Sequence, residues 1–90
     1  MRELVVYEGK AAARPAFVAR VTRVFAEHLA KNGLRLTGQR GAILDLFLTS
    51  DRHLSQEEIY QALRSKGIGR ATVFRTLKTL QECGLAAPVV

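Results

Sequence analysis

The sequence predicts a mainly all-α fold: a small domain of four helices, of which the last two form a helix-turn-helix. Apolar residues recur at three- and four-residue spacing in four segments, the periodicity of a helix with one buried face. Recognisable caps and stops bound these segments. The last two segments are joined by a very short turn at Gly67 and Gly69. Two helices joined so tightly are typical of a helix-turn-helix.

Composition favours one folded domain with a polyanionic partner. The chain has 90 residues, of which 48% are hydrophobic, enough for a modest packed core. It carries 14 Lys and Arg against 8 Asp and Glu, a formal charge of +6, and the basic excess lies in the first third and in the last helix. An uneven basic distribution favours nucleic acid as the partner. The alternative is a basic charge that serves solubility alone.

Several classes of protein are disfavoured. A single cysteine, Cys83, excludes an internal disulfide and a thiolate zinc site within one copy. No apolar run approaches the roughly 18 residues of a membrane-spanning helix, and nothing resembles a signal peptide. The default location is therefore the cytoplasm, without a membrane partner. No acid–base pair, nucleophile elbow or phosphate-binding loop is evident, so we do not expect an enzyme. Cys83 is predicted to be an apolar packing residue.

The amino-terminal third is predicted to be an arm, residues 1–14, followed by a helix. Leu4-Val5-Val6-Tyr7 is a β-prone run, which could be an edge strand or a loose segment. Pro15 suits the first turn of the helix, and Asn32-Gly33 ends it. The predicted apolar face of this helix comprises Phe17, Val21, Val24, Phe25 and Leu29.

The middle of the chain is predicted to form two helices with capped starts. Thr37 is a suitable N-cap for a helix that runs to about Thr49. Ser55 and Glu58 have the spacing of a capping box, and Gly67 ends the helix that this box begins. The residues predicted to face inward are Ile43, Leu46, Phe47, Ile59, Tyr60 and Leu63.

The last helix is predicted to run from about Arg70 to Cys83, with Gly84 as its stop, and residues 85–90 look like the start of a strand. Val73, Leu77 and Leu80 share one side of it. Arg75 lies nearly opposite this apolar stripe. Because a DNA major groove accepts a helix with a polar and basic outer face, this is the predicted recognition helix.

Five short motifs occur in order over about residues 28–90. They are Gly33-Leu34-Arg35-Leu36-Thr37-x-Gln39-Arg40, Ile43-Leu44, His53-Leu54-Ser55-x-x-Glu58-Ile59-Tyr60, Ala71-Thr72-Val73-Phe74-Arg75-Thr76-Leu77 and Gly84-Leu85. In order and spacing they resemble the amino-terminal DNA-binding domain of the ferric uptake regulator family of metal-dependent bacterial repressors. Each motif alone is weak, but the ordered set is specific.

The resemblance implies a winged-helix DNA-binding domain at residues 15–90, with a truncated β-wing. The family's dimerisation domain, which holds most metal ligands, would follow Val90. We therefore expect no cofactor in this domain, although a divalent metal (Fe, Zn or Mn) is implied for the full-length protein. The chain is either an excised domain or a natural stand-alone version, and an ending in mid-strand favours excision. The isolated domain is expected to be a monomer and the intact protein a homodimer.

The residues predicted to bind DNA are Arg35, Arg40, Arg70, Thr72, Phe74, Arg75, Lys78 and Thr79. An outward Arg75 can bind guanine through two parallel hydrogen bonds. Phe74, where the family usually has Tyr, can offer a thymine methyl only an apolar contact, or can pack against the preceding helix. Arg70 lies at the amide end of the last helix, which favours an anion.

The other predicted contacts concern the DNA backbone and the minor groove. Thr72, Lys78 and Thr79 suit phosphate contacts, which set register without reading sequence. The resemblance implies a minor-groove contact for Arg35 and a position near the backbone for Arg40. For both arginines an ordinary solvated side chain is the alternative.

Two histidines receive different predictions. His53 precedes the capping box where the family places a histidine that ligates the regulatory metal. One imidazole does not make a site for a divalent ion, so His53 is predicted to be a lone, metal-free ligand here, partly exposed. His28, on the first helix, is predicted to be a partly buried residue at the edge of the core.

The predicted function is that of the DNA-binding domain of a metal-responsive bacterial repressor of metal homeostasis or oxidative-stress genes. It would occlude a promoter at an A/T-rich palindromic operator, and metal would act by fixing the angle between two such domains. The alternative is a winged-helix protein–protein interaction module without autonomous DNA binding.

Overall fold

A computed structural model describes residues 6–8, 15–50 and 53–89 of the chain. Within these ranges four helices form the body of the domain, which confirms the predicted fold class. They are α1 (Pro15–Lys31), α2 (Gly38–Thr49), α3 (Gln56–Leu63) and α4 (Arg70–Glu82). A turn of 3-10 helix, Arg64–Lys66, extends α3 toward the turn before α4. Among the described helices, none has the length and apolarity needed to cross a membrane.

The helix boundaries follow local signals in the sequence. At the start of α2 the Thr37 hydroxyl accepts a hydrogen bond from the Arg40 backbone amide over 3.2 Å, which confirms the predicted N-cap. After α1 the backbone turns through Gly33, whose φ of +73° is rarely adopted by residues that have a side chain. The end of α4 at Glu82 is one residue earlier than predicted.

The start of α3 is held by a reciprocal pair of hydrogen bonds. The Glu58 amide donates to the Ser55 hydroxyl over 3.0 Å, and the Ser55 amide donates to Glu58 Oε1 over 2.8 Å. The predicted capping box is therefore confirmed. Ser55 is also buried, so that few water molecules can replace these bonds.

Ser55→Ala is expected to destabilise the domain by about 1 kcal/mol, because the Glu58 amide at the helix start loses its acceptor. For a domain of this size that corresponds to a drop in melting temperature of about 4–8 °C. Thermal unfolding followed by circular dichroism measures the change. Ser65→Ala, at an exposed serine of the 3-10 turn, is the matched control. Equal melting temperatures for the two variants would contradict the capping role.

The core lies where the four helices meet, and it differs in detail from the predicted one. The fully buried large side chains are Phe25, Leu29, Ile43, Leu44, Phe47, Leu48, Ile59, Val73, Leu77 and Leu80. Leu44 and Leu48 were not among the residues predicted to face inward; they are buried because α2 packs against both α3 and α4. Leu46 and Tyr60, predicted to face inward, are only partly buried. Val24 is 39% exposed, so its assignment to the buried face of α1 is wrong.

A three-stranded antiparallel sheet completes the described fold. Its strands are β1 (Val6–Glu8), β2 (Leu54–Ser55) and β3 (Ala87–Val89), in the order β2-β1-β3. β3 confirms the predicted strand near the end of the chain. Its register with β1 places Val6 opposite Val89 and Glu8 opposite Ala87, and on the other side Val6 is opposite Ser55.

The position of β1 corrects one expectation about the amino-terminal arm. The β-prone run is a strand over Val6–Glu8, but it is the middle strand, because it pairs with β2 on one side and with β3 on the other. An edge strand would have only one such neighbour. The rest of the predicted arm, residues 1–5 and 9–14, lies outside the described residues.

Candidate nucleic-acid interface

The turn between α3 and α4 fixes the second helix on the body of the domain. Gly67 adopts the left-handed conformation with a φ of +79°, and Gly69 is the N-cap of α4. Between them Ile68 is only 3% exposed and belongs to the core. Because the turn is anchored by a buried side chain, α3 and α4 form a helix-turn-helix unit that packs against α2.

The two sides of α4 differ in burial as the sequence predicts. Val73 and Leu77 are at most 1% exposed and face the core. Thr76 is equally buried, and its hydroxyl donates to the Thr72 carbonyl over 2.7 Å, so the polar group is satisfied. The residues of α4 exposed on its outer side include Phe74, Arg75 and Lys78.

A cleft lies between the amino-terminal end of α2 and the flank of α4 that carries Thr72, Arg75 and Thr76. Its volume is about 490 Å³. The residues that line it are Thr37, Gly38, Gln39, Arg40, Thr72, Arg75 and Thr76. The structure therefore brings together Arg40, Thr72 and Arg75, three of the predicted DNA-binding residues, although Arg40 and Arg75 are far apart in the sequence.

The cleft is electropositive. Arg40 and Arg75 each bring a guanidinium, and none of the described lining residues is acidic. The positive end of the α2 dipole adds to the field of these two charges. One Nη of Arg40 donates to the Arg35 carbonyl over 2.8 Å, which ties the link before α2 to the helix. A guanidinium has five N–H donors, so this bond leaves Arg40 able to bind an anion as well.

The other predicted DNA-binding residues lie outside the cleft. Arg35 is exposed on the link between α1 and α2. Phe74 is 49% exposed on the outer side of α4, so it is not fully packed against the preceding helix. Lys78 is exposed, and the Thr79 hydroxyl donates to the Arg75 carbonyl over 3.0 Å. The hydroxyl hydrogen of Thr79 is therefore used within the helix, whereas the hydroxyl oxygen can still accept a hydrogen bond.

Arg70 has partners within the domain. One Nη of its guanidinium forms an ion pair with Glu57 Oε1, and its guanidinium carbon lies 4.1 Å from the centroid of the Tyr60 ring. The hydrogen bond to Glu57 raises the pKa of Arg70 above its ordinary value. Both partners belong to α3, so the side chain of Arg70, the first residue of α4, extends toward α3.

The described residues do not fit a divalent metal by themselves. His53 is exposed just before β2, as predicted. Within the described ranges there is no group of three or more His, Cys, Asp and Glu side chains that could hold a metal ion. A divalent metal bound at His53 would need further ligands.

Two residues near the carboxyl end of α4 agree with their packing predictions. Cys83 is partly buried against the core, and burial raises the pKa of its thiol, which disfavours the nucleophilic thiolate. His28 is partly buried at the edge of the core, with Nε2 3.6 Å from Glu82 Oε1.

Sequence reasoning missed four residues that line the cleft: Thr37, Gly38, Gln39 and Thr76. Thr37 was assigned only its cap, and Thr76 stands among the core residues of α4. For the missed residues at the start of α2, the signal that could have found them is the short Thr37-x-Gln39-Arg40 motif, which places polar groups there. That the start of α2 faces α4 depends on the packing of the two helices.

Comparisons with known proteins agree with this fold. The sequence pattern of the Ferric uptake regulator family matches residues 31–89. The chain is 43% identical over 60 residues to the ferric uptake regulation protein of Neisseria meningitidis, covering 63% of this chain and 42% of that protein. It is 39% identical over 61 residues to the peroxide operon regulator of Bacillus subtilis, covering 66% of this chain and 42% of the relative.

A third relative is the peroxide-responsive repressor of Staphylococcus saprophyticus, 39% identical over 59 residues, with 63% of this chain and 40% of that protein covered. The chain thus spans less than half the length of these relatives. The matched residues include α2, α3, α4 and the whole cleft between α2 and α4. With this match over well more than half of its length, the chain belongs to the ferric uptake regulator family.

Proposed function

We propose that this chain is a DNA-binding domain of a transcriptional repressor and that it binds duplex DNA through the outer side of α4. The observation that carries the proposal is the asymmetry of α4. On one side Val73 and Leu77 are at most 1% exposed. On the other side Phe74, Arg75 and Lys78 are exposed. A helix held rigidly on one side and polar on the other is what a major groove accepts.

Arg75 is proposed to combine two roles at the rim of the cleft. It lies near the start of α4, where side chains of a recognition helix reach base edges. An Arg there can bind O6 and N7 of guanine with two hydrogen bonds. Because Arg75 also lines the cleft, its charge attracts the phosphate next to the base that it reads.

Arg40 is proposed to bind the DNA backbone inside the cleft. It lies opposite Arg75, on the first turn of α2, with Thr72 on the wall formed by α4. A guanidinium and a hydroxyl that face the same open space suit a phosphate, which accepts from both. Such a contact positions the domain on the duplex without reading its sequence.

Phe74 and Lys78 extend the proposed surface along α4. The half-exposed ring of Phe74 can cover a thymine methyl, an apolar contact that favours A/T-rich sequence. Lys78, one turn further, suits a phosphate on the far side of the groove. Thr79 can contribute through its hydroxyl oxygen, and Arg35 through the adjacent minor groove.

At the level of the whole protein we propose a metal-responsive repressor that acts as a homodimer on an A/T-rich palindromic operator in the bacterial cytoplasm. Support comes from the relatives, whose names are ferric uptake regulation protein and peroxide-responsive repressor. Two copies would each place one α4 in the major groove of a half-site. One copy alone would bind more weakly, because two linked sites multiply affinity.

Titration of the domain with labelled duplexes at several salt concentrations tests the proposal. We expect a complex at low salt whose log affinity falls linearly with log salt concentration, by about 0.9 for each phosphate that a cation neutralises. Duplexes selected from a random pool provide the specific site, and a shuffled duplex provides the non-specific reference. No complex at low salt would refute DNA binding. It would favour instead a protein-interaction module that uses the same helix.

A further inference from the structure

Arg70 is the basic residue at the start of α4, and three side chains of α3 organise it. Its guanidinium is paired with Glu57 Oε1 and lies over the ring of Tyr60, 4.1 Å from its centroid. On the other side of the same carboxylate, Gln61 Nε2 donates to Glu57 Oε2 over 2.8 Å. Gln61 thus orients the carboxylate that holds Arg70.

This cluster, which we call the Arg70 clamp (Glu57, Tyr60, Gln61 and Arg70), crosses the helix-turn-helix. The two ends of the Glu57–Arg70 pair are 13 residues apart and lie on different helices. The turn between them is fixed at Ile68, whose side chain is buried. Together with Ile68 and the buried side of α4 (Val73, Leu77 and Leu80), this exposed pair restricts rotation of α4 against α3.

The arginines near the proposed DNA-binding surface differ in whether a carboxylate balances their charge. Arg40 and Arg75 line a cleft without an acidic neighbour among the described lining residues. Arg70 is matched to a carboxylate, and the pair contributes no net charge where α4 begins. A DNA phosphate at Arg70 would share the guanidinium with the Glu57 carboxylate, which already balances its charge, so Arg70 attracts a phosphate less strongly than Arg40 or Arg75 does.

We propose that Arg70 is a positioning residue, which sets the angle of α4 against α3 through Glu57, and is not a phosphate ligand. This inference rests on the proposed DNA-binding function and refines it. The clamp determines how far Arg75 and Phe74 reach into the groove. Arg70 therefore affects discrimination between sequences more than it affects electrostatic attraction to DNA.

The salt dependence of DNA binding separates the two roles. Arg70→Met is expected to leave the slope of log affinity against log salt unchanged, while it lowers the ratio of specific to non-specific affinity several-fold. Arg40→Met is the matched control and should reduce the slope by about 0.9, the change for one lost phosphate contact. Glu57→Gln frees Arg70 and should steepen the slope by about the same amount, with tighter non-specific binding.

Exchange of the two charges tests the clamp itself. Glu57→Arg and Arg70→Glu should each lower the ratio of specific to non-specific affinity, and the double variant should restore it. Thermal unfolding without DNA of the unaltered domain, the two single variants and the double variant gives a double-mutant cycle. We expect the effects of the two changes on melting temperature to be non-additive. A reduced salt slope for Arg70→Met, equal to that of Arg40→Met, would show that Arg70 binds phosphate and would overturn the proposal.

The unfolding data distinguish failure of the clamp from failure of the proposed function. Additive melting-temperature changes, with DNA binding intact, would refute the clamp and leave the function standing. Non-additive changes in a domain that binds no DNA would refute DNA binding, and with it the role of Arg70 in sequence discrimination. Restored specificity in the charge-exchanged variant, together with an unchanged slope for Arg70→Met, supports the inference.

Discussion

Arg75→Ala is expected to weaken binding to a selected operator by about 1–3 kcal/mol, or about 5–150-fold, and to weaken binding to a shuffled duplex much less. The specific complex loses two hydrogen bonds to a base edge, whereas the non-specific complex loses only one cationic contact. Fluorescence anisotropy titrations with both duplexes at one salt concentration measure the two affinities. Because Arg75 is exposed, the fold should be unaffected.

The control for Arg75→Ala is Arg23→Ala, which removes the same charge from an exposed position on α1 that does not line the cleft. It should lower both affinities slightly and equally. If Arg75→Ala also weakens the two duplexes by the same factor, Arg75 is a backbone contact. Base reading by α4 would then have to come from Phe74 or another side chain.

Phe47→Ala is expected to destabilise the domain by about 3–5 kcal/mol, because removal of a fully buried ring loses its burial and leaves a cavity. Phe47 is 1% exposed where α2 meets the other helices. The whole domain is expected to have only about 5–14 kcal/mol of stability at typical values per residue, so the variant should lose a large fraction of it and unfold at a much lower urea concentration. Urea unfolding followed by circular dichroism measures the loss.

Phe74→Ala is the matched control for Phe47→Ala, since it removes the same side chain from a position that is 49% exposed. Its unfolding midpoint should stay close to that of the unaltered domain, whereas its affinity for A/T-rich DNA should fall. Phe74→Tyr should be tolerated without a change in melting temperature. A large loss of stability in either Phe74 variant would show that the ring supports the fold and is not available to DNA.

The starts of α2, α3 and α4 could be predicted closely because their signals are local, whereas α3 ends at Leu63 and reaches the predicted stop at Gly67 only through a 3-10 turn. Ser55 and Glu58 are three residues apart and bind each other's amides, so the start of α3 is encoded in one turn of chain. Thr37 and Gly33 act over similarly short distances. The side of α4 that faces outward also followed from the spacing of its own apolar residues.

Features that depend on packing between distant segments could not be predicted. Leu44 and Leu48 are buried because α2 is covered by two helices at once, and no period within α2 shows which helices cover it. The cleft exists because the first turn of α2 faces Arg75. Arg70 was expected to attract an anion, as a basic residue at a helix start does, but the anion that it meets is the Glu57 carboxylate of the preceding helix.

The placement of β1 between β2 and β3 has a consequence for the order in which the molecule assembles. Val6 pairs with Val89, so the first and last strands of the described sheet are far apart in the sequence. Closure of so long a loop is entropically unfavourable, and such non-local pairings form slowly compared with neighbouring helices. During translation β1 is synthesised first and β3 last. We therefore expect the pairing of β1 with β3 to form only when synthesis of the domain is complete.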